Sequence, residues 1–158
     1  MIVLGLDPGL ANTGWGIIEF AQNRYRYIAH GCITTASSAC IGTRLEQIFK
    51  EIESVIISFK PSCAGIETLY FAKNRTSALA VAQARGVLLL LLQRYSIIVK
   101  ELTPNQIKQA VSGFGASSKE GVGKMVQFLL GLDRPPTPDH SSDALASAIA
   151  YTMYQNSL

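Results

Sequence analysis

The chain begins with a continuous apolar run, Ile2 to Leu6, which is typical of a strand covered on both faces of a sheet. Two further strand-like segments follow, Gly14 to Phe20 and Tyr25 to Thr34, with only a short break at Gln22-Asn23 between them. A short connection between two strand-like segments predicts a hairpin, so the first third of the chain is expected to form an antiparallel meander.

The hydrophobic period then changes from strand-like to helical. Apolar residues recur every three or four positions from about Ile41 to Phe59, which predicts an amphipathic helix. Two short apolar strands are expected downstream, Cys63 to Ile66 and Ile97 to Leu102. Four more helices are expected from about Asn74 to Arg94, after Thr103-Pro104, from Ser118 to Leu130, and from about His140 to Tyr154. A meander followed by alternating helices and strands predicts an α/β fold with a mixed five-stranded sheet flanked by helices.

The helix expected from Asn74 to Arg94 has almost no polar face. A helix that is apolar nearly all round is buried on more than one side, so a second copy of the chain could cover the side that faces away from the sheet. The sequence therefore favours a homodimer formed through this helix. Gln83 and Arg85 interrupt the apolar run, which is too short to span a membrane.

Length and composition narrow the class of protein further. The 158 residues are enough for one domain, expected to cover residues 1–158, and the net charge of +3 is compatible with a polyanionic partner without indicating one. Three cysteines without paired metal-binding spacing suggest reduced thiols. With no signal-peptide pattern at the N-terminus, the expected location is the cytoplasm.

Acidic residues are scarce, and four polar side chains fall at positions where they could meet. Asp7 and Glu67 each end an apolar strand, and the ends of parallel neighbouring strands meet at one edge of a sheet. His140 and Asp143 are three residues apart at the start of the last helix, so they share one face of it. Such a set would suit hard divalent cations and two-metal phosphoryl transfer. The alternative is that these side chains only cap or solvate the ends of their elements.

Glycines surround the first of these acids. They are expected to let a phosphate or a polymer backbone approach closely, and they are Gly5, Gly9, Gly14 and Gly16.

Three stretches carry a resemblance to a known family: LGLDPGLANTGWG, IETLYFAKNRTSALAVAQARG and DHSSDALASAIA. In order and spacing they closely resemble RuvC-type Holliday-junction resolvases, and the resemblance extends from Met1 to about Gln155. It implies a ribonuclease-H-like fold, a homodimer, and Mg²⁺-dependent nicking of two symmetry-related strands of a four-way DNA junction. It also implies a partnership with the RuvA–RuvB branch-migration complex.

The resemblance assigns the metal site. Asp7, Glu67 and Asp143 match three acidic ligands of the family, and His140 falls where many members carry an aspartate. Two metal ions per subunit are implied, with Mn²⁺ as a substitute for Mg²⁺, because an imidazole suits Mn²⁺ relatively better. Whether His140 binds metal directly or positions the attacking water stays open. Neighbouring Asp139 is interpreted as the N-cap of the last helix.

The resemblance also indicates residues that contact DNA. Tyr70 matches an aromatic residue that wedges against junction bases, and stacking on an open base stabilises by about 1–3 kcal/mol. Lys108 and Lys119 match basic residues that contact DNA. Lys73 and Arg75, which flank Asn74, are further candidates for phosphate contacts.

Three other functions compete with this one. A strand ending in Asp-x-Gly also resembles the first phosphate-binding turn of actin-like ATPases, but the chain is too short for their two lobes. A related nuclease could act on other branched DNA or on RNA–DNA hybrids. A DNA-binding module without catalysis is the third, and the retained acids Asp7, Glu67 and Asp143 argue against it.

Overall fold

The structure is a computed structural model that describes residues 1–68, 75–113, 115 and 118–155, with the backbone alone for residues 75–77. The described strands are β1 (Ile2–Asp7), β2 (Asn12–Ala21), β3 (Arg24–Thr34), β4 (Cys63–Glu67) and β5 (Ile98–Leu102). The described helices are α1 (Ile41–Phe59), α2 (Arg75–Arg94), α3 (Pro104–Ser112), α4 (Lys119–Leu130) and α5 (Asp139–Tyr154). These elements agree with the predicted ones to within two residues at most boundaries.

The five strands form one sheet in the order β3-β2-β1-β4-β5. Strands β1, β2 and β3 pair in antiparallel fashion, whereas β4 runs parallel to both β1 and β5. This arrangement confirms the predicted mixed sheet. Leu6 of β1 is in register with Ile66 of β4, so the next residues, Asp7 and Glu67, stand side by side at the carboxyl ends of two parallel strands.

The sheet separates two hydrophobic cores. On one face, Leu4, Leu6 and Ile66 belong to the core that includes α1 and α2. On the other face, Val3 and Cys63 belong to the core that includes α3, α4 and α5. Because side chains alternate along a strand, Asp7 and Glu67 point to the same side as Val3 and Cys63, where α5 lies.

Helix α5 packs directly onto the backbone of the sheet through glycines. A Cβ atom on Gly5 would overlap the carbonyl oxygen of Ala144, and one on Gly14 would overlap that of His140. Gly16 similarly leaves room for Leu145. The prediction that Gly5, Gly14 and Gly16 make room for a phosphate is therefore wrong, because the space that they leave is filled by α5. Gly9 belongs to the turn after β1, where a Cβ would meet the carbonyl oxygen of Asn12.

A side-chain cap fixes where α3 begins, whereas α5 begins without one. The Thr103 side chain accepts a hydrogen bond from the backbone N–H of Gln106, and Gln106 accepts one from the Thr103 backbone, so the predicted cap is confirmed as a capping box. The interpretation of Asp139 as an N-cap is wrong. Pro138 holds the N-cap position of α5 and Asp139 is the first helical residue, where its charge faces the positive end of the helix dipole.

Helix α2 has one buried face and one exposed apolar face. Ala84, Leu88 and Leu91 are fully buried against the sheet and α1, whereas Leu79 and Leu90 are 64% and 59% exposed. The apolar surface that the sequence assigned to a second subunit is therefore uncovered in the single chain. In the part of the chain that the structure describes, no helix has the length and apolar character needed to cross a membrane.

Candidate active site

Two neighbouring parallel strands place their terminal carboxylates together at the edge of the sheet. Asp7 ends β1 and Glu67 ends β4, and both line a cleft of about 300 Å³. The first turns of α5 form another wall of the cleft, to which His140 and Asp143 contribute. All four side chains that the sequence selected as metal ligands thus line one cleft, although they come from positions as far apart as 7 and 143.

His140 and Asp7 are in direct contact. The Nδ1 atom of His140 lies 2.7 Å from Oδ2 of Asp7, so with the proton on Nδ1 the ring donates a hydrogen bond to the carboxylate. Burial raises the pKa of Asp7 above its usual value, and the bond to His140 offsets part of that effect. A histidine whose Nδ1 is held by a carboxylate has a defined orientation and tautomer, which is how proteins prepare imidazole for a metal or for water.

Asp143 is held by a lysine from a different helix. Nζ of Lys119, the first residue of α4, donates to Oδ2 of Asp143 at 3.1 Å. Burial alone would lower the pKa of Lys119, but the hydrogen bond to Asp143 and the surrounding negative charges raise it. Lys119 therefore stays protonated and brings a positive charge directly to one of the cleft carboxylates.

Glu67 is the most perturbed acid of the cleft. Its pKa is raised to about 7, mainly by burial and further by the negative charges of Asp7 and Asp143. Lys119 and Lys108 lower the pKa, but by less. A buried carboxyl beside two like charges is the arrangement that a bound cation relieves, and strongly shifted pKa values concentrate at functional sites.

The remaining lining of the cleft comes from α3 and α4. Lys108 stands on α3 beside the carboxylates, and Ile107 and Val122 supply an apolar wall. The sequence selected Lys108 through the family resemblance. It missed Ile107 and Val122, although the apolar period of their helices marks both as inward-facing residues. It also missed the pair Lys119–Asp143, since nothing local links residues 24 positions apart.

The chemistry of this donor set fits a hard divalent cation. Three carboxylates and one imidazole surround the cleft, and oxygen-rich sets of this kind suit hard divalent cations. Among the described residues, no three His, Cys, Asp or Glu side chains are already gathered closely enough to hold one ion. In this arrangement His140 contacts Asp7, and Lys119 contacts Asp143.

Three of the candidate DNA contacts cannot be placed. Tyr70 and Lys73 lie outside the described residues, and Arg75 is the first residue of α2 without a described side chain. The segment that holds them connects Glu67, at the cleft, to α2. Their roles stay predictions.

Similarity to known proteins defines the class. A family model described as "Crossover junction endodeoxyribonuclease RuvC" matches residues 3–151. The mixed sheet with carboxylates at two adjacent strand ends belongs to the ribonuclease-H-like class of metal-dependent nucleases. Within that class, the chain belongs to the RuvC family of crossover junction endodeoxyribonucleases. The predicted fold and the resemblance are both confirmed.

Relatives match over nearly the whole length. A crossover junction endodeoxyribonuclease RuvC from Treponema denticola is 50% identical over 147 residues, which cover 93% of this chain and 83% of the relative. One from Desulforamulus reducens is 43% identical over 156 residues, covering 99% and 96%. Thermus thermophilus RuvC in complex with a Holliday junction substrate superposes with a TM-score of 0.93 at 30% identity, covering 98% of this chain and 94% of that one.

Proposed function

We propose that this protein is a structure-selective endonuclease that resolves four-way DNA junctions by paired, symmetric nicks during recombination and repair. Membership of the RuvC family supports the junction as substrate. The observation that carries the chemistry is the cleft in which Asp7 and Glu67, from adjacent parallel strands, face His140 and Asp143 of α5.

The catalytic roles follow from the donors in the cleft. Asp7, Glu67, His140 and Asp143 would hold two divalent cations, Mg²⁺ or Mn²⁺. When bound, such ions activate water and neutralise the charge that develops on the leaving oxygen. His140 orients Asp7 through the 2.7 Å contact. Attack of water in line with the 3′-oxygen leaves a 5′-phosphate and a 3′-hydroxyl.

Basic residues around the cleft would hold the DNA. Lys108 and Lys119 line the cleft and are proposed to contact phosphates next to the scissile bond. Lys73 and Arg75 are proposed to extend this contact, and Tyr70 to stack against an opened base of the junction. Phosphate contacts position DNA without reading its sequence, so binding should depend strongly on salt.

The partners of the chain are proposed on two grounds. The exposed apolar face of α2 supports a homodimer, whose two-fold symmetry would match that of the junction and place the two nicks on opposite strands. A partnership with the RuvA–RuvB branch-migration complex is expected from the family resemblance. Free thiols at Cys32, Cys40 and Cys63 suit a reducing compartment, and we propose the cytoplasm.

The proposal is tested by cleavage of a labelled four-way junction with a mobile centre, in Mg²⁺, Mn²⁺ or EDTA. Paired symmetric nicks on the junction, absent from linear duplex and absent in EDTA, are expected. Cleavage of an RNA–DNA hybrid in preference to the junction would move the function to another nuclease of this fold. Junction binding without nicking in either metal would contradict the catalytic assignment.

A further inference from the structure

The position of Lys119 conflicts with its two expected roles. Its ammonium group is bound to Asp143, 3.1 Å away, although Asp143 is a proposed metal ligand and Lys119 a proposed phosphate contact. One ammonium group at the end of one side chain cannot neutralise the carboxylate and a phosphate fully at the same time. The structure therefore raises the question of what frees Lys119.

We infer that the Lys119 ammonium group pairs with the Asp143 carboxylate only in the metal-free protein. When a divalent cation binds Asp143, the ammonium group moves to a DNA phosphate. The inference rests on the proposed function, because it adds a coupling between the metal site and DNA binding at the same cleft. Metal loading then changes the strength of one specific phosphate contact, and DNA binding in turn favours metal loading, since coupling between two sites is reciprocal.

The ion pair between Lys119 and Asp143 can be replaced easily. The Lys119 side chain is 70% exposed and stands at the first position of α4, so its four-carbon chain is free to swing without disturbing a core. An ammonium group that is largely exposed to water contributes little stability through an ion pair, although the Asp143 carboxylate is only 23% exposed. A doubly charged ion that also engages neighbouring carboxylates outcompetes one such ammonium group.

Lys108 is expected to contact a phosphate with or without metal. It lines the same cleft but forms no ion pair with any residue that the structure describes. Its ammonium group needs no metal to become available to a phosphate. Lys108 is therefore the matched control for Lys119, with the same charge in the same cleft and no carboxylate to leave.

The DNA test compares the salt dependence of junction binding in EDTA and in Ca²⁺, with junction integrity checked on a gel. Each phosphate contact contributes about 0.9 to the slope of log K against log salt. For Lys119→Gln, we expect the wild-type slope in EDTA and a deficit of about 0.9 in Ca²⁺. For Lys108→Gln, we expect the same deficit in both conditions. A Lys119→Gln deficit that is equal in both conditions, or absent from both, would overturn the inference.

A second test needs no DNA. Titration of Mn²⁺ or Ca²⁺ into the free protein should show tighter binding to Lys119→Gln than to wild type, by up to roughly fivefold, because the ion no longer displaces an ammonium group. Lys108→Gln should show a smaller change, since it removes charge from the cleft without freeing a carboxylate. Equal changes in both variants would mean a general field effect and reject the exchange. If the wild type neither binds nor cuts junctions, the proposed function is wrong. The titration still tests whether a metal ion displaces Lys119 from Asp143.

Discussion

His140 and Asp7, 133 positions apart in the sequence, meet with Nδ1 of the ring 2.7 Å from Oδ2 of the carboxylate. The contact joins the first turn of α5 to the end of β1. It also puts an imidazole where the family resemblance expects an aspartate in many members. The metal preference of the cleft should therefore depend on this one side chain.

Replacing His140 with Asp tests that dependence. An imidazole suits Mn²⁺ relatively better than Mg²⁺, whereas a carboxylate suits both hard ions. His140→Asp should therefore raise the ratio of the Mg²⁺-supported to the Mn²⁺-supported cleavage rate. Single-turnover cleavage of a four-way junction in each metal measures the ratio. Asp139→Asn, one residue away, is the control and should leave the ratio unchanged, and an unchanged ratio in His140→Asp would mean that the ring does not contact the metal.

Replacing Asp7 with Asn separates catalysis from binding. Asn keeps the shape of the side chain but removes the charge that a cation needs, so cleavage should fall by about 100-fold or more. Binding of the junction in EDTA should persist, because Lys108 is unaffected. Fluorescence anisotropy and a cleavage gel measure the two properties on the same sample. Parallel loss of binding and cleavage would show instead that Asp7 supports the structure.

Much of this arrangement could be predicted from the sequence, and the exceptions share one cause. Asp7 and Glu67 are predictable because an apolar strand that ends in an acid is visible within a single segment. The role of the glycines is not predictable, because their partner, α5, is more than 120 residues away in the chain. Gly14 looks like an opening for a ligand until His140 is known to sit on it. The pairing of Lys119 with Asp143 is equally long-range and leaves no local pattern.

The pKa of Glu67 predicts how stability changes with pH. Folding raises this pKa from its usual 4.5 to about 7, so the folded protein holds the proton more tightly than the unfolded chain does. Ionisation of Glu67 therefore costs no folding stability below pH 4.5, progressively more between pH 4.5 and 7, and its full amount above pH 7. Metal-free Glu67→Gln should match the wild type near pH 4.5 and exceed it at pH 8 by on the order of 2–3 kcal/mol.

Urea unfolding in EDTA at the two pH values measures this difference. Adding a divalent metal should reduce the difference in unfolding free energy between variant and wild type at pH 8. The cation stabilises the ionised Glu67 of the wild type and cannot do so for glutamine. If the wild type and the variant differ in stability by the same amount at both pH values, the loss of stability at high pH does not come from ionisation of Glu67.

The packing of α5 on glycine predicts a sharp contrast between two Gly→Ala substitutions. At Gly14 the new methyl group would overlap the backbone carbonyl of His140, which cannot move without shifting the first turn of α5. We expect a loss of about 1–3 kcal/mol in the free energy of unfolding, together with slower cleavage. At Gly42, in α1, nothing lies within 4 Å of the new methyl group. There alanine should be neutral or stabilise by up to about 1 kcal/mol. Thermal unfolding of both variants measures the contrast, and equal effects would show that α5 does not rest on Gly14.

The exposed face of α2 predicts which substitutions separate the proposed dimer. Leu79 and Leu90 are 64% and 59% exposed and, being eleven positions apart, lie on the same side of the helix. A charge placed there would be buried without a partner in a dimer, so Leu79→Glu and Leu90→Glu should give monomers by sedimentation.

Phe128→Glu is the matched control, since Phe128 is 77% exposed but lies on α4, and it should leave the dimer intact. Dimers in all three variants would place the interface elsewhere. Monomeric variants should still fold, because Leu79 and Leu90 are exposed in the single chain, but they should nick single strands without the paired timing that two active sites on one junction allow.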